Sequence, residues 1–194
     1  KIGATETVEA ARQSEHYQSA KPSGPNQGRG VASGFWFNGG GQSAATIQVH
    51  PDGRVSLLEG STDIGGSRAA MAMIVAETLC LSADDVNPMV VDTDSIGYHD
   101  GTGGSRVCYA TGHACYLAAE DVKKHMGHRA AKQMEVEEGD VEWRDGEFVC
   151  VSDASKKLTF KEIAGQQGST GGPIEGAGTV NASGPGNAFG THIV

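Results

Sequence analysis

Two short stretches of this chain set the same three kinds of hydrogen-bond donor side by side: Gly65-Gly66-Ser67-Arg68 and Thr102-Gly103-Gly104-Ser105-Arg106. Each offers glycine amides, a hydroxyl and a guanidinium, which together are chemistry for holding an oxyanion. Glycine lets a ligand approach the backbone closely. The first turn of a helix leaves N–H groups unpaired and carries a partial positive charge, and arginine pairs bidentately with phosphate oxygens. Two such cradles in one domain suit a ligand with two phosphates, or a phosphate and a polar ring; the plainer reading leaves the glycines as tight turns and the arginines solvated. Neither stretch is a P-loop, because no G-x-x-x-x-G-K-[ST] occurs, and neither is a dinucleotide fingerprint, because Arg106 stands where the third glycine belongs. Gly184-Pro185-Gly186 with Gly190 has the wrong spacing too, so NAD and ATP find little support.

Other reactive side chains do not assemble into a catalytic pattern. The seven histidines make no zinc spacing, and His125 with His128 reads as a solvated pair on a polar helix face. There is no G-x-S-x-G elbow. Glu59, Asp63, Asp92 and Asp94 lie near the turns, where capping is the commoner fate of a carboxylate. No catalytic and no metal-ligating residue is assigned.

The elements that must position the two turns are legible in the pattern. Glu6 to Glu15 has helical composition and dissolves into the Pro- and Gly-rich run 21–28, so residues 1–28 read as a helix and a linker, and 29–194 as one domain. Arg29 to Phe37 reads as a strand. Ala45 to His50 and Arg54 to Glu59 alternate across Pro51-Asp52-Gly53 as a β-hairpin, and Val141–Trp143 with Phe148–Val151 forms a second around Asp145-Gly146. Apolar residues at Ala70, Met71, Ile74, Val75 and Leu79, and again from Val107 to Met126, recur with helical spacing, with Ser105 or a neighbour as N-cap of the second helix. Val86 to Asp92 is a strand between them, and Thr159-Phe160-Lys161-Glu162 is a capping box. Ile174 to Val180 is a strand, and Ala188 to Val194 reads as a strand whose edge lacks a partner, which predicts a frayed end and a truncated chain. Strand, glycine-rich turn and helix thus occur twice, with hairpins besides, and the predicted class is α+β: a mixed sheet with β-hairpins packed against two main helices, each opened by a Gly-rich turn.

Composition narrows the function classes. Fifteen Lys and Arg against 24 Asp and Glu give a net charge of −9, a poor balance for gripping nucleic acid through counterion release. No apolar run approaches the length of a membrane span. Cys80, Cys108, Cys115 and Cys150 form no closely spaced thiolate set, so no iron–sulfur cluster is expected here, and free thiols fit the cytoplasm. The chain starts at Lys1 without a basic-then-apolar leader, which suggests an excised piece.

The string Gly60-Ser61-Thr62-Asp63-Ile64-Gly65-Gly66, then Ile74-Val75-Ala76-Glu77 with Leu79, Asp92-Thr93-Asp94, Gly101-Thr102-Gly103-Gly104-Ser105-Arg106 and Gly112, resembles the molybdenum-binding subunit of the xanthine oxidase and aldehyde oxidase family, which includes aerobic carbon monoxide dehydrogenase. The order of blocks is similar to the second molybdopterin-binding domain, from about Gly28 to the C-terminus. The resemblance implies that these turns grip molybdopterin, commonly as its cytosine dinucleotide, whose pyrophosphate suits two cradles. It implies hydroxylation, with water, of an aldehyde, an N-heterocycle or a similar carbon centre, with electrons leaving through iron–sulfur and FAD partners alongside the rest of the molybdenum subunit. Many members carry Gly-Gln-Gly at the first turn, whereas here Gly65-Gly66 runs straight into Ser67; the family's downstream Gly-Glu base is also not encoded in this chain. The isolated chain is therefore expected to be inactive. The competing reading is a stand-alone module that binds an anionic nucleotide or a protein without catalysis.

Overall fold

The computed structural model describes residues 3–183 and 186–194, the side chain of Thr93 excepted. The Gly184-Pro185-Gly186 turn expected from sequence falls partly outside these residues. The chain divides into two compact units, Lys1–Gly39 with Gly184–Val194, and Gly40–Ser183. Sequence had put the only boundary at residue 28.

In the first unit, α1 (Ala4–Gln13) carries a Glu9–Arg12 pair on its surface, and α2 (Glu15–Gln18) is capped by Ser14, whose side chain accepts from the Tyr17 amide. Strand β1 (Val31–Trp36) pairs antiparallel with the last strand, β9 (Ala188–Ile193), from Val31 opposite Ile193 to Trp36 opposite Ala188. The bonds between Gly30 and Val194 extend the ladder in both directions. This corrects the expectation of an unpaired terminal strand: the partner lies at the other end of the chain, and a separation that long leaves no local signal.

The second unit is a two-layer structure. Strands β2 (Gly41–Val49) and β3 (Val55–Glu59) form the first predicted hairpin, Ile47 opposite Leu57 and Val49 opposite Val55, and Gly53 takes the positive φ of 88° that its turn requires. From β3 the chain crosses through α3 (Ser67–Leu79) to β4 (Val86–Val90), which pairs parallel to β3, as a βαβ crossover demands. A single turn, α4 (Thr93–Ile96), precedes the second Gly-rich stretch; beyond it a π-helical turn over Val107–Thr111 runs into α5 (Gly112–Met134). Strands β5 (Val141–Arg144), β6 (Glu147–Cys150) and β7 (Lys157–Thr159) make a three-stranded antiparallel sheet. Helix α6 (Phe160–Gly165) opens on the predicted Thr159–Glu162 capping box, and α7 (Gln167–Thr170) and β8 (Ile174–Ala182) complete the unit.

The main sheet has the order β4-β3-β2-β8 and is mixed, with β3–β4 its parallel pair. Ala45, Ile47 and Val49 of β2 alternate inward with Val55 and Leu57 of β3, and this face is covered by Met71, Val75 and Leu79 of α3 and Ala114, Ala118 and Val122 of α5. The predicted α+β architecture, a mixed sheet under two long helices, is the one observed. Both Gly-rich turns lead into a helix: the first into α3 at Ser67, the second into the π-helical turn that opens α5.

Candidate functional site

The two turns share a composition but not a geometry. At the first, Gly65 and Gly66 take left-handed φ of 62° and 78°, and the helix amides that follow are already satisfied. Ser67 N–H donates to Ile64 O at 3.2 Å, Ala69 N–H to Gly66 O at 3.1 Å, and Arg68 N–H to the Asp63 carboxylate at 3.1 Å. The Arg68 guanidinium lies 3.4 Å from that same carboxylate, on the surface. An anion therefore already occupies the positive end of α3, supplied by the chain itself.

At the second turn the amides of Gly101 to Ser105 donate to no acceptor among the described residues. Gly104 and Ser105 take φ of 63° and 56°, and Arg106 returns to the right-handed region. A left-handed residue followed by a right-handed one turns successive N–H groups toward one point, the concavity that binds anions in many proteins. Ser105 was expected to cap the helix. Its left-handed backbone is incompatible with the extended conformation of an N-cap, and no side-chain cap is formed at this helix start.

The turns meet at a pocket of about 410 Å³ lined by Ile64, Ser67, Thr102, Gly103, Ser105, Arg106, Val107 and Cys108. Of the nine residues expected to grip a cofactor, Ser67, Thr102, Gly103, Ser105 and Arg106 come together here, whereas Gly65, Gly66, Arg68 and Gly104 are not part of the lining. A larger cleft of about 590 Å³ beside His125, His128 and Arg129 lacks any comparable row of backbone donors.

Arg106 departs most from expectation. It is 4 % exposed, and its guanidinium is turned inward: Nε donates to Gly40 O at 2.6 Å, Nη1 to Asp100 O at 2.9 Å, and Nη2 to Gln42 O at 2.5 Å and Ser43 Oγ at 2.8 Å. All three nitrogens are engaged with the chain, so the phosphate-gripping side chain read from the sequence is a tie between the second turn and the start of β2. From Ser43 a row of hydroxyls continues through Thr111 Oγ1 at 3.0 Å to Ser61 Oγ at 2.7 Å, and Ser61 Oγ lies 3.4 Å from His99 Nδ1. Asp100 adds a bond from the Gln42 amide at 2.5 Å, which holds its carboxyl below the ordinary range. Burial pushes His99 below its ordinary pKa and favours the neutral ring. Ser43, Ser61, His99 and Thr111 are members of the site that sequence reasoning missed; only the proximity of Ser61 and His99 to the Gly-rich blocks could have hinted at them.

Glu59, at the end of β3, is 1 % exposed and accepts the Ser61 amide at 2.6 Å. Burial raises its pKa, the Ser61 bonds opposing, and burial also raises that of the Cys115 thiol, with Glu59 adding to the effect. A carboxyl whose pKa is higher folded than unfolded contributes stability below its unfolded value, near 4.5, and loses it as pH rises through the folded one. Glu59→Gln keeps an acceptor for Ser61 without the charge. Its melting temperature should exceed the parent's at pH 8, with a gap that closes toward pH 4.5; a gap independent of pH would mean Glu59 does not titrate in this way.

This is a mixed-sheet α+β domain with a turn at a helix start whose backbone donors meet no acceptor among the described residues, a candidate anion site. The family model described as the molybdopterin cofactor-binding domain matches residues 4–194, and the chain belongs to that family. It is 36 % identical over 122 residues to the carbon monoxide dehydrogenase large chain of Afipia carboxidovorans, a match covering 62 % of this chain and 15 % of that protein. The solved Cu,Mo-CO dehydrogenase in its carbon monoxide reduced state aligns with a TM-score of 0.77 at 28 % identity, over 85 % of this chain and 23 % of that one. Quinoline 2-oxidoreductase from Pseudomonas putida 86, at 23 % identity and a TM-score of 0.71 over 85 % of this chain and 24 % of that one, shares the fold. The chain spans about a seventh of the length of the curated relatives it matches.

Proposed function

We propose that this chain is the cofactor-holding domain of a molybdenum hydroxylase, and that the pocket between the two turns takes the phosphate end of molybdopterin in its cytosine dinucleotide form. The observation that carries the reading is the run of amides from Gly101 to Ser105 that meet no acceptor among the described residues, in a turn whose Thr102, Gly103 and Ser105 line a pocket together with Ser67. That donor set fits the group: a phosphate takes backbone N–H and hydroxyl donors at a helix start, and no side-chain carboxylate lines the pocket. Gly103 meets nothing within 4 Å where a side chain would begin, so a ligand can reach its amide. The chain's residues bind and orient; Ser67 lines the pocket from α3, and Thr102, Gly103 and Ser105 line it from the second turn.

When bound, the molybdenum centre of that cofactor supplies two-electron oxidation of a substrate carbon, with an aldehyde, an N-heterocycle or carbon monoxide as the substrate class. Likeness to carbon monoxide dehydrogenase supports this reading. Its partners would be the rest of a molybdenum subunit together with iron–sulfur and FAD-carrying chains or domains. None of the described helices is long and apolar enough to cross a membrane, and four free cysteines, two of them exposed, fit a reducing cytoplasm.

Titration of the chain with cytidine diphosphate and with cytidine, followed by calorimetry, tests the assignment. The diphosphate should bind about tenfold or more tightly than the nucleoside, since charge-assisted bonds to the phosphates carry the contact. Equal affinity for the two would place the recognition elsewhere.

A further inference from the structure

We infer that Arg106 is a positioning residue that shapes the second turn from inside, and that its guanidinium is the fixed end of a buried hydrogen-bond chain that reaches Ser61, in the segment leading from β3 to the first turn. The inference rests on the phosphate assignment above and deepens it: it says which side chain makes the cradle without touching what the cradle holds. Guanidinium is a donor only, with a planar fork of N–H bonds. Here the fork spans three backbone carbonyls, those of Gly40, Gln42 and Asp100. These belong to the start of β2 and to the residue that opens the second turn. Arg106 is thus held at both ends of the loop it terminates, which fixes the path of Gly101 to Ser105 and the left-handed backbone at Ser105.

A row of hydroxyls continues from the fork. Ser43 Oγ accepts from Arg106 and is hydrogen-bonded to Thr111 Oγ1, Thr111 Oγ1 is hydrogen-bonded to Ser61 Oγ, and Ser61 faces His99 Nδ1. His99 Nε2 lies 2.6 Å from the Ala44 carbonyl and also 3.2 and 3.3 Å from the amides of Ala44 and Gly60, so the ring is held in place by β2 and by the residue that follows β3. The charged and titratable groups around this ring are Arg106, Asp100 and, through Ser61, Glu59. The row of hydrogen bonds runs from the second turn through the π-helical turn to Ser61, in the segment that leads from β3 to the first turn. Thr111 is fully buried at its centre, and the π-helical widening over Val107–Thr111 is the local irregularity at that point.

Nuclear magnetic resonance on the 194-residue chain, titrated with inorganic pyrophosphate, tests this. The amides of Gly103, Gly104 and Ser105 should shift on saturation, while the Arg106 Nε–Hε signal stays in place and resists exchange with solvent. Arg106→Lys keeps the charge but not the fork, so pyrophosphate should bind about tenfold more weakly. Thr111→Val keeps the shape and removes the central hydroxyl, and should weaken binding about threefold or more while the hairpin signals stay native. An Arg106 Nε–Hε signal that moves on the same curve as Gly103, or a lysine variant that binds as the parent does, would make Arg106 a direct phosphate ligand and overturn the inference alone. Unmoved Gly103–Ser105 amides in the parent would remove the phosphate assignment, and the inference with it.

Discussion

Gly178→Ala is expected to lower the melting temperature by roughly 6–12 °C, from about 3 kcal/mol of overpacking. The reason lies in how closely β8 passes α5. A Cβ on Gly178 would fall inside the contact distance of the Ala114 carbonyl and 2.5 Å from the Ala118 nitrogen; one on Gly176 would lie 2.5 Å from the Ala118 carbonyl and 2.6 Å from Val122 Cγ2. Backbone meets backbone there, and neither side has a flexible side chain to move aside. Both glycines point to the buried face of β8, in line with Ile174, and the helix opposite answers with small residues, Ala114 and Ala118. Because α5 is the helix that the second turn opens, displacing it also spoils the pocket. Differential scanning calorimetry reads the effect. A Gly178→Ala protein that melts within about 2 °C of the parent would mean the helix and strand can part without cost, contrary to the packing described.

The same strand illustrates what sequence could and could not say. The run from Ile174 to Val180 was legible as a strand, but its glycines read only as weak points, since the reason for them is a helix more than fifty residues earlier. Local signals fared well: the Asp145-Gly146 turn takes φ of 47° and 88°, the Thr159–Glu162 box closes as written, and α3 and α5 follow their apolar spacing. What failed was long-range or conformational. The partner of β9 is β1, Ser105 adopts a left-handed backbone that its residue type disfavours, and Arg106 is buried although an arginine beside glycines on a surface turn reads as solvent-facing. The two Gly-Ser-Arg blocks looked equivalent because composition does not reveal who satisfies the amides. In one block Asp63 accepts the Arg68 amide, and the carbonyls of Ile64 and Gly66 accept those of Ser67 and Ala69; in the other the described residues supply no acceptor for Gly101 to Ser105.

That asymmetry leads to the second large effect. If the amides from Gly101 to Ser105 hold the phosphate end of the cofactor, a carboxylate placed among them should expel it. Gly103 is suited to carry one, because a side chain there starts in open space and φ is not left-handed, so Gly103→Asp leaves the fold undisturbed. Repulsion between like charges a few ångström apart, in a pocket only partly open to water, is worth enough to cut occupancy about tenfold or more. Arg68→Ala is the matched control: its guanidinium is tied to Asp63 on the surface, and its loss should leave occupancy unchanged.

The most direct measurement is cofactor content of the protein carrying this chain, made in cells that synthesise molybdopterin cytosine dinucleotide. Molybdenum and the cytidine monophosphate released by hydrolysis are each counted per polypeptide by mass spectrometry, for the parent, Gly103→Asp and Arg68→Ala. The expected result is molybdenum and cytidine monophosphate in equal amounts in the parent and in Arg68→Ala, and both reduced together about tenfold in Gly103→Asp. Full loading of Gly103→Asp, with its melting temperature unchanged, would contradict the assignment of the second turn as the seat of the cofactor's phosphates.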